Sequence, residues 1–408
     1  MTDVLIVGAG LAGLFAAALA ARRGAAVTLI TQGRGGLGIG HGCIDIWSAG
    51  VLERALPHLP DNHPYRRATI SSLRSALTQL DGMLSPSGLR LSGSLARNLR
   101  LPTPAGQLHP TAFALTAQAQ ADPLTGEDFT LATIDAFRDF SLALASHNLR
   151  QLGAPPASLL ELPMVGLPTR RDAYSTDLAR CLDDSSLRAE TFRAWKPRVL
   201  GIRRLGLPAV LGLQSHPVVM ADLEDRLGLQ VFEIPTLPPS VPGLRIEAAL
   251  RADAQRHGAL IIEGPHVIGR VSGASNGKRA AGVVAHTAGG PRVYNADRVL
   301  LATGGVLHGG LVTLPTGRVQ ESVFDLPVVH NTQRQTWTSP QIGGRQAYAT
   351  FGVAVDHQMR PRALDGGPVL ENLYAAGGLL AGADRTREGS RQGIDLATAY
   401  RAVEAALA

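Results

Sequence analysis

The segment DVLIVGAGLAGLFAAALAARRGAAVTLIT, from Asp3 to Thr31, narrows the possible folds more than any other part of the chain. Val4 to Val7 form an unbroken apolar run of the kind buried on both faces of a parallel sheet. Leu11 to Arg23 read as an Ala-rich helix closed by Gly24, and Val27 to Thr31 as a second strand. Strand, turn, helix and strand make a βαβ unit. Gly8, Gly10 and Gly13 form GxGxxG where the first strand turns into the helix. In such a turn Gly8 makes the bend, Gly10 leaves space for phosphate oxygens to meet backbone N–H groups, and Gly13 lets helix and strand pack closely. The helix start, including Leu11 and Ala12, offers unpaired donors and a partial positive charge. This placement predicts nucleotide binding.

A carboxylate about 20 residues further on normally receives the adenosine ribose of a dinucleotide. Thr31 and Gln32 hold that place here. The sequence therefore leaves open an FAD held by neutral groups or a cofactor without adenosine, FMN.

With 408 residues, 45% hydrophobic and 18% charged, the chain can bury a large core and is expected to form one large domain with a smaller lobe. A net charge of +6 and a pI near 9.8 favour anionic partners: phosphate-bearing ligands, an acidic subunit or an anionic membrane surface. Nucleic acid is not expected, because the basic residues are scattered and aromatics make up only 4% of the chain. Cys43 and Cys181 are the only cysteines, too few for a cysteine-ligated iron–sulfur cluster or a disulfide framework, and they fit a reducing cytoplasm. No metal-ligating set is assigned. No apolar run reaches the ~18 residues of a membrane span, and the first strand lies too near Met1 for a signal peptide.

The glycine-dense stretch GRGGLGIGHGCIDIW, Gly33 to Trp47, is expected to be a loop that approaches a ligand closely, through Gly40 and Gly42. Thr130 to Leu152 reads as an amphipathic helix with Ile134, Phe137 and Leu144 on its apolar side. Prolines between Pro235 and Pro242 fix an extended segment, Leu244 to His257 form a helix ended by Gly258, and Leu260 to Ile262 return as a strand. Val267 to Val271, Gly282 to His286 and Arg292 to Tyr294 read as short antiparallel strands, and the last helix starts near Ile394. The fold class is α/β: a two-dinucleotide-binding-type, Rossmann-like flavoprotein with a β-meander and an inserted α+β lobe. Residues 1–105 and 236–408 are expected to form the nucleotide-binding domain and 106–235 an inserted cap for substrate or partner.

Later glycine clusters point to flavin. LLATGG, Leu300 to Gly305, resembles the strand-to-loop signature after the β-meander of two-dinucleotide-fold flavoproteins and brings in Thr303 and Gly304. AAGGLLAGAD, Ala375 to Asp384, followed by the turn from Gly389 to Gly393 and Ile394, resembles the segment that brings a helix N-terminus to the flavin pyrimidine edge in the fumarate reductase superfamily. Gly377, Gly378 and Asp384 belong to that segment. A helix end there stabilises negative charge on the reduced ring.

GHGCIDIW, IPTLPPSVPGLRI, GGVLHGGLV and ENLYAAGGLLAGAD together resemble the B-subunit family of anaerobic glycerol-3-phosphate dehydrogenase, over nearly the whole chain. The resemblance implies FMN, with FAD as the alternative. It also implies a larger FAD-bearing A subunit and an iron–sulfur C subunit that anchors the complex at the cytoplasmic face of the inner membrane. The implied reaction oxidises sn-glycerol 3-phosphate to dihydroxyacetone phosphate and passes electrons to quinone. Arg385, Arg387 and Arg391 depart from the family pattern, which is poorer in charge at that turn. Alcohol oxidation needs a base, for which His41 is the first candidate and His308 and His330 the next. Two other readings stay open: a self-contained enzyme like fumarate reductase or ketosteroid dehydrogenase, and a non-catalytic flavin relay subunit.

Overall fold

The computed structural model describes residues 2–124, 128–135, 137–167, 172–272, 277–341, 343–363 and 365–408. The chain divides into two compact units, the first made of Met1–Gly35, Val51–Met83 and Leu250–Ala408, the second of Gly36–Gly50 and Leu84–Ala249.

The first unit is built on a five-stranded sheet. Its strands are β1 (Val4–Val7), β2 (Val27–Thr31), β3 (Leu260–Glu263), β4 (Arg298–Leu301) and β5 (Leu373–Ala375), in the order β3-β2-β1-β4-β5 and parallel throughout. Val4 pairs with Val27 on one side and Arg298 on the other. This is the doubly wound arrangement, in which the strand order reverses beside β1. Helix α1 (Leu11–Arg22) is buried from Leu11 to Ala21. Its alanines let it lie between the sheet and the last helix, α2 (Arg391–Leu407), with little side-chain bulk on any face. Gly24 follows with φ +85°, the left-handed stop expected of it. The end of α1 is tied by Arg22, which donates to both carboxylate oxygens of the buried Asp253 at 2.7 Å. The expected meander is present as His266–Ser272, Ala280–Thr287 and Gly290–Asn295, paired antiparallel. Buried Asn372 joins it to the main sheet, accepting from Ala280 N and donating to the carbonyls of Ala280 and Asp297.

The second unit holds a four-stranded sheet in the order Gln230–Ile234, Arg204–Pro208, Thr130–Ile134, Ser158–Leu162, again parallel. Among the described residues it also holds two antiparallel pairs, Leu91–Gly93 with Phe113–Leu115 and Leu99–Pro102 with Leu108–Thr111. These pairs tie residues 84–105 to the rest of the unit, so the compact units divide after Met83 rather than near 105, and again after Ala249 rather than near 236.

The single helix expected over Thr130 to Leu152 is not formed. Thr130–Ile134 is a fully buried central strand, as its β-branched residues favour, and a shorter helix runs over Leu142–Gln151 behind the N-cap Ser141. Ile134 and Phe137 are buried as expected, but Leu144 is 50% exposed. The apolar residues of a strand and of the helix after it mimic one helical stripe. The helix expected from Leu244 begins earlier, at Val241, because Ser240 accepts from Gly243 N and caps it.

Glu233 and Arg245 form a buried ion pair in this unit. Arg245 also donates to the Gly212 carbonyl, and Glu233 accepts from Leu211 N. Burial pushes the Glu233 carboxyl up, but Arg245 more than offsets it and holds the group below its ordinary range. Removing one member of such a pair costs about 3–5 kcal/mol. Arg245→Met is therefore expected to destabilise the protein by an amount of that order at neutral pH, measured by denaturant unfolding. A depressed carboxyl contributes stability above its unfolded pKa that is lost as pH falls through the folded value. In the variant, burial acts unopposed and protonation relieves it, so the variant's penalty must shrink on acidification. A penalty independent of pH would refute this account of the pair.

Candidate functional site

The GxGxxG turn lies at the carboxyl end of β1, and Thr303 to Gly305 follow at the carboxyl end of β4. These adjacent strands flank the point where the order reverses, the crevice in which open α/β sheets bind ligands. The two loops touch. A Cβ on Gly8, whose φ is +106°, would lie 2.4 Å from the Ala302 carbonyl oxygen. A Cβ on Gly13 would lie 1.9 Å from the Gly8 carbonyl oxygen, and one on Gly35 2.3 Å from that of Ala9. Around Gly10 there is nothing within 4 Å of the corresponding position. Gly8 and Gly13 are thus spent on packing, and Gly10 borders open space. As N-cap of α1, Gly10 gives the helix no side-chain cap, and the first turn carries no acidic residue. The amides there are left for an anion.

Thr31 ends β2 with its hydroxyl donating to the Gly33 carbonyl at 2.6 Å, and Gln32 is exposed. Across the crevice, Thr303 has a buried hydroxyl oxygen with no hydrogen-bond partner among the described residues. Gly304, at φ +79°, accommodates the His308 side chain, and a Cβ on Gly310 would strike the Gly304 carbonyl oxygen at 1.9 Å. Open space at Gly10 and an orphaned hydroxyl at Thr303 fit a polar cofactor seated at this crevice.

The C-terminal glycines close the same region. Gly377 N donates to Thr398 Oγ1 of α2 at 2.9 Å, and the missing side chain of Gly377 leaves room for Ala12 of α1 and Asp395. Gly378 lies under the Arg385 guanidinium, and a Cβ on Gly305 would meet the Gly378 carbonyl at 2.8 Å. Arg385 pairs with Asp395 at 2.8 Å. Burial raises the Asp395 carboxyl above its usual value in spite of Arg385 and Arg391. His308 is held below the usual imidazole range, first by partial burial and then by the charges of Arg385 and Arg391. Asp384 accepts from Arg387 N, Gly389 turns the chain at φ +56°, and Gly393 and Ile394 are buried in the first turn of α2. The Ser390 side chain does not cap that turn; it donates instead to Glu388, which also pairs with buried His63.

Gly40, His41 and Gly42 belong to the second unit. Gly42, at φ +76°, and Gly243 have no room for a side chain, because Pro242 and the Leu37 carbonyl oxygen approach them closely. The proline-rich string and the glycine-rich loop need each other's small residues. His41 Nε2 is 3.2 Å from Asp45, and its Nδ1 accepts from Cys43 N. His109 binds the other oxygen of Asp45 at 2.9 Å. Burial pushes the Asp45 carboxyl up, but the hydrogen bonds from His109 and His41 outweigh it and hold the group far below the ordinary carboxylate range. His330 donates from Nδ1 to the Val328 carbonyl and packs edge-on against Trp337 and Phe351, beside an open cavity of about 560 Å³ that also involves Arg345 and Thr350. The three nominated histidines thus have three separate sets of neighbours. Asp45 and His109 carry a signal that sequence reading missed: Asp45 stands four residues after His41 in the same loop, whereas His109 is 64 positions from Asp45 and nothing local marks it.

Residues 3–394 match the model of the FAD binding domain family. A protein of Halobacterium salinarum, named as the "probable" B subunit of anaerobic glycerol-3-phosphate dehydrogenase, is 32% identical, over 99% of this chain and 97% of that one. The B subunit of anaerobic glycerol-3-phosphate dehydrogenase from Pectobacterium atrosepticum is 29% identical, over 98% and 97%. Among solved structures, the 3-ketosteroid Δ1-dehydrogenase of Sterolibacterium denitrificans aligns over 99% of both chains at 11% identity, with a TM-score of 0.46. The fold assignment rests on the sheet order and the family match. No helix among the described residues is long and apolar enough to cross a membrane. The cofactor is a flavin, the chemistry is that of a flavin-dependent oxidoreductase, and the chain belongs to the B-subunit family of anaerobic glycerol-3-phosphate dehydrogenases within the FAD binding domain flavoproteins.

Proposed function

We propose that this chain is the flavin-bearing B subunit of a complex that oxidises sn-glycerol 3-phosphate to dihydroxyacetone phosphate and passes the electrons toward quinone. The observation that carries the reading is a likeness along 98–99% of the chain to relatives named for that dehydrogenase. The partners in this reading are an FAD-bearing A subunit and an iron–sulfur C subunit that holds the complex at the cytoplasmic face of the membrane. The second unit serves as the lobe for substrate or partner.

FMN is the preferred cofactor and FAD the alternative, since Thr31 spends its hydroxyl on Gly33 and neither Thr31 nor Gln32, at the end of β2, is acidic. Its phosphate would be received by the amides of Gly10, Leu11 and Ala12, with Thr303 and Gly304 across the crevice. When bound, the flavin supplies a two-electron hydride acceptor. Gly377, Gly378 and the start of α2 from Gly389 through Gly393 to Ile394 would hold the pyrimidine edge. There the helix end and Arg385 favour the negative charge that reduction brings. Arg387 and Arg391, both exposed, fit an anionic substrate or an acidic partner surface.

Two variants separate the phosphate site from the fold. In Gly10→Glu the new side chain enters open space but carries a carboxylate to the anion's position, so flavin retention should fall more than tenfold with the thermal stability of the apoprotein unchanged. Gly13→Ala drives a Cβ into the Gly8 carbonyl, and about 1–3 kcal/mol of destabilisation is expected from the overpacking. Equal flavin content in Gly10→Glu and the parent would contradict the assigned phosphate position.

The reaction is tested by mixing the purified protein anaerobically with sn-glycerol 3-phosphate and following flavin absorbance, after acid release and chromatography have identified the flavin as FMN. Bleaching by substrate alone is the expected result. Bleaching only when reduced A subunit is added would instead support the relay reading.

A further inference from the structure

We propose that the open cavity beside His330 binds a small phosphorylated polyol, with Arg345 on the phosphate and with His330 Nε2 and the Thr350 hydroxyl oxygen accepting from the polyol's hydroxyls. The inference deepens the proposed reaction by giving its substrate a site, and it rests on that reading for the identity of the ligand.

The cavity is formed by one segment of the first unit folding on itself. Val328–Val329 pairs antiparallel with Gly352–Val353, which sets His330 beside Phe351. Between those strands the chain is fastened to itself at several points. Tyr348 N donates to the Trp337 carbonyl, and Trp337 Nε1 donates to the Asn331 carbonyl. The Gln346 side chain accepts from Ser339 N and donates to the Gly344 carbonyl, bracing the turn that carries Arg345. The rings of His330, Trp337 and Phe351 meet edge-on, with centroids 5.4 to 6.4 Å apart. Two aromatic neighbours and the Val328 carbonyl therefore hold the imidazole in place. The space beside it is about 560 Å³, inside the roughly 300–1,000 Å³ of small-molecule sites.

The groups left free define the ligand. The Val328 carbonyl only accepts, so His330 Nδ1, 3.0 Å away, bears the hydrogen, and in the neutral ring Nε2 carries the lone pair. Among the described residues that nitrogen has no partner. Thr350 donates its hydroxyl to the Ala347 carbonyl at 3.0 Å, so its oxygen remains an acceptor. Asn331 and Thr336, also at the cavity, are bonded to each other and to Gln333. Arg345 is exposed and makes no ion pair or hydrogen bond among the described residues, and none of the residues lining the cavity is acidic. One cation and two acceptors thus surround an apolar patch at Phe351. An anion without hydroxyls leaves both acceptors unpaired, and a neutral polyol leaves the guanidinium without a counter-charge. A phosphate a few atoms from hydroxyls on a short carbon chain satisfies all three, and a guanidinium suits phosphate because it offers two parallel N–H donors.

The cavity also stands against the stretch that directly follows Gly377 and Gly378, the glycines given above to the flavin's pyrimidine edge. Gly382 N donates to the Thr350 carbonyl and Ala381 N to that of Val353. A Cβ on Gly352 would lie 2.4 Å from Ala381 N and 2.6 Å from the Leu379 carbonyl oxygen. Thr350 and Phe351 are thereby fastened to that stretch within a single compact unit.

The test is isothermal titration calorimetry under anaerobic conditions on the full-length chain, its flavin reduced so that the ligand is not consumed. The ligands are sn-glycerol 3-phosphate, glycerol 2-phosphate, inorganic phosphate and glycerol. Arg345→Gln should weaken sn-glycerol 3-phosphate about tenfold or more, the usual weight of a hydrogen bond to a charged group, and should weaken inorganic phosphate alongside it. Arg345→Lys should recover part of the loss. His330→Phe keeps a ring against Trp337 and Phe351 but removes the acceptor, so it should weaken sn-glycerol 3-phosphate several-fold and leave inorganic phosphate unchanged. Thr350→Val, which leaves the imidazole untouched, should separate the two ligands in the same way and serves if His330→Phe does not fold. Binding of sn-glycerol 3-phosphate that neither Arg345→Gln nor the acceptor variants weaken overturns the site and leaves the proposed reaction standing. Binding seen only after the flavin is removed assigns the cavity to the cofactor and overturns the site as well. A parent that binds glycerol 2-phosphate through Arg345 and His330 but not sn-glycerol 3-phosphate upholds the site and contradicts the proposed reaction.

Discussion

The contact on which the first unit depends is the close approach of two backbone loops at the reversal of its sheet. Gly8 lies against the carbonyl of Ala302, and Gly13 against the carbonyl of Gly8, at separations that no side chain survives. Because these contacts are made without side chains, α1 starts close to the sheet, its first amides open toward the crevice, and Thr303 faces it from the neighbouring strand. Gly377 extends the same economy of bulk by leaving room for Ala12 of α1 and Asp395 of α2. The glycines of the first and last segments, separated by most of the chain, therefore serve one packing arrangement.

Electrostatics divide the crevice into two ends. The first turn of α1 holds no basic residue, so the helix's own positive character there comes from its backbone amides. Near α2 it comes from a helix start and from Arg385, partly balanced by Asp395, in a setting that also keeps His308 from taking a proton readily. A fixed partial charge suits a permanent phosphate, and a guanidinium tethered to a carboxylate suits a charge that appears and disappears with reduction.

Much of this is legible in the sequence where the determinants are local. The first βαβ unit, the three meander strands and the last helix are each marked by periodicity and by glycines at their ends, and the likeness to the B-subunit family lies on motifs distributed from Gly40 to Asp384. The failures occur where long-range contacts decide. Thr130 to Ile134 and Leu142 to Gln151 share an apolar pattern that fits one helix, and only the neighbouring strands of a parallel sheet make the first part extended. By sequence, the stretch that starts at Leu91 reads as the tail of the first domain, yet its antiparallel pairing binds it to the second unit. His41 is visible as a histidine in a ligand-approaching loop. Its engagement by Asp45 and the Cys43 amide is not, and neither is the arrival of His109 from a distant strand.

The central claim is that the amides at the start of α1 hold the flavin phosphate at the sheet's reversal point. Amide hydrogen exchange, followed by mass spectrometry on the apoprotein and on the same protein reloaded with flavin, tests it most directly. The account predicts that flavin slows exchange in peptides covering residues 8–14 and 303–310, with residues 376–395 following. Stoichiometric flavin uptake that leaves exchange at residues 8–14 unchanged would contradict it.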